Sequence, residues 1–307
     1  MSRWLLEENW LRLVLIKKNI SPKVSIGLPV FNSELTVRKT IESLLSQSFA
    51  DFELIISDNA STDCTQEICK EYANSDSRIK YIRQTKNLGL FENFKVVLDE
   101  ACGEFFMWSA ADDIRSSCFI EKNFQFLSQH PEYVASTSKN YFEGEELKVE
   151  SHIKFSIEGT LNERLITFLT NCLYSHGIFY SLIRTPYLKS CDFIGKIIFA
   201  GDWLVNVHLL AIGPIKRINE GYMMSGRNGI SNSVSPYKLF QNHFIEYIFP
   251  LYLFSKYFIR LGVNNDELSL VEKITLLFIL IRLNLLFAFA HSISKLRNTL
   301  GYKFLKR

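Results

Sequence analysis

The sequence predicts an α/β fold in which a mostly parallel sheet is flanked by helices. Two observations carry this prediction. Short apolar runs alternate with helical apolar faces in the first part of the chain, and acidic residues directly follow two of these runs. Such alternation is typical of right-handed β-α-β units, whose strands lie parallel. Hydrophobic residues make up 47% of the 307 positions, enough for a sizeable core.

The first elements follow this alternation in order. Residues 24–29 predict a strand, and the apolar residues within 37–45 lie on one face of a helix. Residues 53–58 predict a second strand that ends on Asp58, and residues 79–83 predict a third. Helical apolar faces separate these strands, as parallel pairing requires.

The stretch 105–113 is the centre of the pattern. The apolar run from Phe105 to Trp108 is too short for a buried helix and predicts a buried strand. Asp112 and Asp113 follow it, at the sheet edge where open α/β sheets bind ligands. Adjacent carboxylates repel each other unless a cation or hydrogen-bond donors neutralise them. A hard ion such as Mg²⁺ is often shared with substrate phosphates, so a metal–diphosphate site is one interpretation. On the acid pair alone a solvated turn or a helix cap is favoured, and the flanking motifs reverse that order.

Several motifs stand in a fixed order along this part of the chain: residues 26–32, 43–49, 57–65, 87–89 and the pair Asp112-Asp113. Together they resemble family 2 glycosyltransferases, which have the GT-A fold, over about residues 22–235. The resemblance implies an inverting enzyme that moves a sugar from a nucleoside-diphosphate sugar to an acceptor hydroxyl.

The resemblance also implies roles for individual residues. The positions that match the lining of the nucleotide are Pro29, Val30 and Glu34. Asp58 matches an acid that accepts a hydrogen bond from the base, and Asp112 matches a residue near the ribose and donor sugar. Asp113 matches the ligand of Mg²⁺ or Mn²⁺. Ala110 and Ala111 stand where many members carry another Asp, so the metal would rest chiefly on Asp113 and the diphosphate.

The second half of the sequence is less regular. Residues 119–129 and 161–172 predict helices, and residues 133–138 predict a strand. Residues 174–184 resemble the acceptor-side segment of the same family. His176 is therefore a candidate acceptor contact, although a lone histidine is also commonly structural.

Asp202 opens an apolar helix. An acid in that place is ordinarily a cap or a favourable charge at the helix dipole. In the resembling family, the acid of this motif is the general base, which takes the proton of the acceptor hydroxyl as it attacks the anomeric carbon. Gly201 stands where most members have an acid. This difference weakens the inference about the acceptor more than the inference about the base. Trp203 could offer an aromatic face to an acceptor sugar.

Residues 224–233 are rich in Gly, Ser and Asn. They resemble the family's flexible loop, in which an arginine and a downstream serine contact the diphosphate. Arg227 and Ser231 match these two positions, and the forked donors of arginine suit phosphate oxygens. An ordinary surface loop is the alternative.

The C-terminal tail is apolar and basic. From Lys273 to the end the chain has seven basic residues and no acidic residue, so the rest is mildly acidic. Arg282 and Asn284 interrupt the apolar stretch 274–290, which makes it marginal for a membrane span. Helices lying on an anionic membrane surface are expected first, then packing on the body or on a second copy, then a true span.

We therefore expect three segments: an amphipathic segment at 1–21, a GT-A domain at 22–238 and a helical extension at 239–307. The expected partners are a nucleotide-sugar donor, a glycan or lipid-linked acceptor and a membrane surface, with no nucleic acid and with a homo-oligomer left open. Six scattered cysteines without a Cys-x-x-Cys pair favour a reduced, cytoplasmic protein on the cytoplasmic face of a membrane.

Two other functions stay open at this stage. A nucleotidyltransferase could share the sheet and the acid pair, but it would attack phosphorus and release pyrophosphate. A non-catalytic binding or assembly subunit would keep the fold alone. The acids Asp58, Asp113 and Asp202 argue against that second alternative.

Overall fold

The computed structural model describes residues 21–144, 156–227, 246 and 249–299, without the side chains of Tyr174, His176 and 291–299. The strands of this part are β1 (Val24–Val30), β2 (Phe52–Asp58), β3 (Ile79–Arg83), β4 (Phe105–Trp108), β5 (Ile114–Arg115), β6 (Ala135–Phe142), β7 (Leu182–Arg184) and β8 (Ile215–Ser225). The predicted N-terminal amphipathic segment lies almost entirely outside the described residues.

The helices flank these strands. They are α1 (Val37–Leu45), α2 (Thr65–Ser75), α3 (Leu90–Asp99), α4 (Phe119–Gln129), α5 (Leu161–Asn171), α6 (His176–Phe179), α7 (Thr185–Lys189), α8 (Gly201–Ile212), α9 (Tyr252–Phe258) and α10 (Leu270–Thr299). The predicted α/β architecture is confirmed, and the strand–helix alternation holds from β1 to α4.

The described strands form one eight-stranded sheet in the order β3-β2-β1-β4-β7-β6-β8-β5. The four strands from β3 to β4 are parallel, with Val30 opposite Asp58 and Gly27 opposite Trp108. Strand β7 runs antiparallel to β4 and β6, while β6 and β8 are parallel. Because β1 lies between β2 and β4, the residues that follow these three strands meet at one sheet edge.

Strands β6 and β8 differ from the sequence expectation. Strand β6 starts two residues later than predicted and extends to Phe142, although most of its residues are polar. The buried serines of this strand have partners: Ser136 donates to Asn123 at 2.6 Å, and Asn123 donates to Ser138 at 2.9 Å. Strand β8 includes Ser225, so the predicted loop at 224–233 starts two residues later.

The C-terminal helices join the main core. Leu251, Phe254 and Phe258 are fully buried together with residues of α5 and α8, and so is Leu276 of α10. Helix α10 starts at Leu270, earlier than the apolar stretch predicted from 274, because Ser269 and Glu272 cap each other. The division between a catalytic domain and an extension stays a prediction.

The opposite face of α10 is exposed and apolar. Its exposed large residues are Leu270, Val271, Ile274, Phe278, Ile281, Leu285, Leu286 and Phe289. By length and composition, Leu270–Ala290 is the single candidate for a membrane-crossing helix within the described residues, and 11% of its most apolar window is buried.

Candidate active site

Asp58, at the end of β2, is held by several donors. It is fully buried, and its carboxylate accepts hydrogen bonds from the Ser61 N–H at 2.8 Å and the Tyr81 hydroxyl at 2.8 Å. The Arg83 guanidinium donates to the same carboxylate and to the Ser61 carbonyl. Burial raises the pKa of Tyr81, and its hydrogen bond to Asp58 raises it further. The predicted contact of Asp58 with a nucleotide base stays a prediction.

The loops after β1 and β2 are joined by hydrogen bonds. Glu34 is exposed, and its carboxylate accepts from the Cys64 N–H at 2.9 Å, while its own N–H donates to Asp63 at 3.1 Å. Pro29 and Val30 are buried in the last two positions of β1. The three residues expected to line the nucleotide, Pro29, Val30 and Glu34, therefore lie on or beside one hydrogen-bonded pair of loops at the same sheet edge.

The carboxylate of Asp113 is buried, and neighbouring donors and charges offset the cost of this burial only in part. It is 2% exposed, and burial raises its pKa to about 6. The charge of Arg115 lowers this pKa, that of Asp112 raises it, and the backbone N–H groups of Ala110 and Gly226 lower it. The Ala110 contact is 3.4 Å long. A cation would stabilise such a carboxylate.

Arg115 is the buried counter-charge of this region. Its guanidinium donates to the Ser109 hydroxyl at 2.6 Å and to the Trp108 carbonyl at 2.8 Å. Its own pKa is lowered by burial and raised by the charge of Asp113. These two bonds tie Arg115 to the end of β4, so the positive charge is fixed in place beside the acid pair.

The charges of three acids affect the pKa of the Tyr180 hydroxyl. Burial raises the pKa of Tyr180 well above its usual value, and the charges of Asp113, Asp202 and Asp112 each raise it further. Tyr180 follows α6, whereas the acids follow β4 and start α8. The charges of the predicted metal ligand and of the predicted base therefore both affect one tyrosine, although these acids stand on different elements.

Asp202 lies in the first turn of α8 rather than at its cap. The N-cap residue is Ala200, whose φ of 59° and ψ of 37° place it in the left-handed region. The side chain of Ala200 makes no capping hydrogen bond. Asp202 is therefore not the N-cap residue, and its favourable charge at the helix dipole remains.

Trp203 is packed in the core and is not exposed at the surface. It is 8% exposed, and its ring lies 6.1 Å from that of Phe254 and 5.8 Å from that of Phe287. This burial favours a packing role over contact with an acceptor sugar. His176 begins α6, but its side chain is outside the description, and Ser231 lies outside the described residues.

The chain after β8 folds over the acid pair. A Cβ atom built on Gly226 would overlap the Asp112 carboxylate, and the Gly226 N–H donates to Asp113. The next residue, Arg227, is exposed, and its guanidinium lies 5.7 Å from the ring centroid of Phe142. This geometry places Arg227 beside the candidate diphosphate site.

The donor set fits a hard divalent ion that is shared with a substrate. Asp112 and Asp113 offer adjacent carboxylate oxygens, and the buried one lacks full compensation. No group of three or more His, Cys, Asp or Glu residues gathers for a metal in the part of the chain that the structure describes. Mg²⁺ commonly takes one or two carboxylates, waters and phosphate oxygens, so the acid pair is sufficient.

The sequence reasoning missed Arg83, Arg115, Tyr180 and Gly226. Arg83 ends the third predicted strand, at the edge that already carried Asp58, which is a signal that could have identified it. Tyr180 and Gly226 lie inside segments already singled out. Their contacts with the acids join distant parts of the chain and leave no local pattern.

Residues 25–190 match the family described as glycosyl transferase family 2. The putative glycosyltransferase EpsE of Bacillus subtilis is 39% identical over 116 residues, which cover 38% of this chain and 42% of that protein. The GalNAc(5)-diNAcBac-PP-undecaprenol beta-1,3-glucosyltransferase of Campylobacter jejuni is 38% identical over 93 residues, 30% of each chain. The chain thus spans less than half the length of these two relatives.

Two solved structures share the fold. That of S. aureus TarS 1–349 superimposes with a TM-score of 0.62 at 21% identity, covering 90% of this chain and 73% of that one. The complex of the same protein with UDP-GlcNAc gives 0.60 at 24% identity, covering 83% and 70%. The GT-A fold expected from the sequence is confirmed. Since the family match extends over more than half of the sequence, the chain belongs to glycosyl transferase family 2.

Proposed function

We propose that the chain transfers a sugar, with inversion, from a nucleoside-diphosphate sugar to an acceptor hydroxyl. The observation that carries this proposal is that the charges of Asp112, Asp113 and Asp202 all raise the pKa of the Tyr180 hydroxyl. Inverting transfer in one displacement needs a base on the acceptor side and charge stabilisation on the leaving-group side. The two sets of acids occupy neighbouring positions that suit these two tasks.

Asp202 is the proposed base. Its place in the first turn of α8 favours the ionised carboxylate, because the helix dipole stabilises negative charge there. An ionised carboxylate accepts the proton of the acceptor hydroxyl while the hydroxyl oxygen attacks the anomeric carbon. The partly buried Tyr180 lies close enough for its pKa to respond to the same carboxylate, so it shapes the space between donor and acceptor.

Asp113, with Asp112 beside it, would hold Mg²⁺ or Mn²⁺, whose chemistry when bound is to neutralise charge on the leaving diphosphate. Arg227 is proposed to contact the same phosphates with its forked donors, together with Ser231. Asp58, Pro29, Val30 and Glu34 are proposed to shape the nucleotide side of the site.

The names of the relatives support a donor and an acceptor class. TarS was solved with UDP-GlcNAc, and a mannosyltransferase of Pyrobaculum calidifontis, with a TM-score of 0.50 at 15% identity over 67% of this chain and 57% of that one, was solved with GDP-Man and Mn²⁺. The Campylobacter relative is named for an undecaprenol-linked acceptor. We propose a UDP- or GDP-sugar donor and a glycan or lipid-linked acceptor in cell-surface polysaccharide assembly.

The exposed apolar side of α10 supports the proposal that the protein is peripherally bound to the cytoplasmic face of a membrane. Eight large apolar side chains lie on it, from Leu270 to Phe289, and Arg282 is exposed on the same helix. Such a face binds an anionic bilayer through apolar burial and charge attraction. Flotation of the full chain with anionic and with neutral liposomes tests this. Failure to float, with a dimer by light scattering, would assign the face to a second copy.

A donor screen tests the function itself. A bound ligand raises stability by mass action, so melting temperature can report binding from a panel of nucleotide sugars with Mn²⁺. We expect stabilisation by a UDP- or GDP-sugar that is lost with chelator. Stabilisation by nucleoside triphosphates instead would favour nucleotidyl transfer.

A further inference from the structure

Three aromatic rings join the start of α8 to the last helix, α10. The Phe287 ring of α10 lies 5.8 Å from the Phe199 ring and 5.8 Å from the Trp203 ring, edge-on in both cases. Phe199 and Trp203 stand on either side of Asp202 in the chain. We call Phe199, Trp203 and Phe287 the aromatic clamp.

The turn between these rings is strained. Ala200 adopts a left-handed conformation, with φ at 59°, directly before the first turn of α8. A residue with a Cβ atom is unfavourable there and persists only where its surroundings hold it. Gly201 bonds back to the Ile198 carbonyl at 3.1 Å, which closes the turn on its other side. The aromatic clamp supplies packing on both sides of the strained residue.

We infer that Phe287 is a positioning residue for Asp202, acting through the aromatic clamp. This inference rests on the proposed role of Asp202 as the base. Asp112 and Asp113 are placed by β4 and by Gly226 after β8, which are elements other than those that carry the three rings. Loosening the clamp therefore lowers transfer and leaves the donor side intact. Helix α10 is in this way part of the catalytic apparatus as well as a candidate membrane surface.

The test uses the full chain with Phe287→Ala, Phe287→Leu and the control Ile212→Ala. Ile212 is the last residue of α8 and is 41% exposed. Three quantities are measured: transfer from whichever of UDP-GlcNAc and GDP-mannose the parent turns over, affinity for the corresponding UDP or GDP with Mn²⁺, and amide exchange of residues 199–206. We expect Phe287→Ala to lower turnover by on the order of 10- to 100-fold, because a displaced catalytic group loses its alignment.

Nucleotide affinity should stay at the parental level in all three variants, and exchange of residues 199–206 should accelerate in the two Phe287 variants. Phe287→Leu should show an intermediate loss and Ile212→Ala none. Ala200→Gly in either Phe287 background should restore turnover several-fold, because glycine adopts the left-handed conformation without strain. If Phe287→Ala fails to fold, Phe287→Leu with and without Ala200→Gly provides the same test.

Parental turnover in both Phe287 variants, or an equal loss of nucleotide affinity, would overturn the inference. So would failure of Ala200→Gly to restore any turnover. Asp202→Asn separates this failure from failure of the proposed function. If Asp202→Asn transfers normally, the base assignment is wrong whatever Phe287 does. If Asp202→Asn is inactive and the Phe287 variants are normal, the positioning role alone is wrong.

Discussion

Gly226 lies so close to Asp112 that a Cβ atom at position 226 would overlap the Asp112 carboxylate. The backbone N–H of Gly226 also donates to Asp113. One residue of the chain after β8 therefore touches both members of the acid pair. A side chain at 226 would have to displace either the carboxylate or the start of the loop that carries Arg227.

Gly226→Ala should weaken nucleotide binding. Overpacking in a closed site costs about 1–3 kcal/mol, which corresponds to roughly a 5- to 100-fold loss of affinity for UDP or GDP with Mn²⁺. Isothermal titration calorimetry measures it. Gly201→Ala is the control, because a Cβ atom there meets nothing closer than 3.7 Å. Equal affinity of the parent and Gly226→Ala would contradict the described closure over Asp112.

Asp113→Asn should remove the metal-linked part of donor binding. Loss of one charged contact is worth about 1.5–3 kcal/mol, so affinity for the nucleoside diphosphate in Mn²⁺ should fall by roughly 10- to 100-fold. Chelator should lower the parent's affinity to the level of the variant and leave the variant unchanged. The exposed Asp266→Asn serves as the control. A chelator effect that persists in Asp113→Asn would assign the metal to other ligands.

The ion pair between the buried Asp58 and the exposed Arg83 should matter more for stability than an ion pair whose two side chains are both exposed. Arg83→Ala leaves the Asp58 carboxylate with two donors, and we expect the free energy of unfolding to fall because a buried acceptor loses a partner. Arg38 pairs with Glu71 at 2.8 Å on the surface, and Arg38→Ala should lower the free energy of unfolding less. Urea unfolding of both variants checks the ranking, and the reverse order would contradict this account of Asp58.

His208 should make stability depend on pH. Burial lowers its pKa, outweighing its hydrogen bond to the Tyr187 carbonyl and the charge of Asp192. The unfolded chain therefore binds a proton more readily, so stability falls as pH drops from about 6.5 towards the folded pKa. Unfolding free energies of the parent and His208→Gln, compared at pH 7.5 and 5.5, check this. The parent should lose more on acidification, and equal losses would exclude His208 as the cause.

The parallel half of the sheet could be predicted because its strands are buried on both faces and read as apolar runs. This holds for β1, β2 and β4, and Asp58 and Asp112-Asp113 stand out because they interrupt such runs. Strand β6 could not be placed in the same way. Its buried Ser136 and Ser138 are satisfied by Asn123, a partner that no hydrophobic pattern reveals.

Candidate site residues could be predicted where a single sequence motif suggests their role. They could not be predicted where their position depends on packing between distant parts of the chain. Asp113 and Asp202 were proposed from motifs that resemble the family's, and their charges both raise the pKa of Tyr180. The contact between Trp203 and Phe287 joins two distant helices, and nothing near either residue signals it. The burial of Trp203 likewise depends on α9 and α10, whose packing the sequence left open.

Asp202→Asn is the most direct test of the central claim. The full chain, the variant and a surface control, Asp192→Asn, are incubated with the stabilising nucleotide sugar, Mn²⁺ and acceptor extracts, and the released nucleotides are separated. We expect nucleoside diphosphate as product and a loss of turnover by on the order of 10²–10⁴-fold in Asp202→Asn. Nucleotide affinity and melting temperature should stay near parental values, because asparagine keeps the shape of the side chain and Asp202 is not the N-cap residue. Parental turnover by Asp202→Asn, or release of sugar 1-phosphate in place of nucleoside diphosphate, would contradict the account.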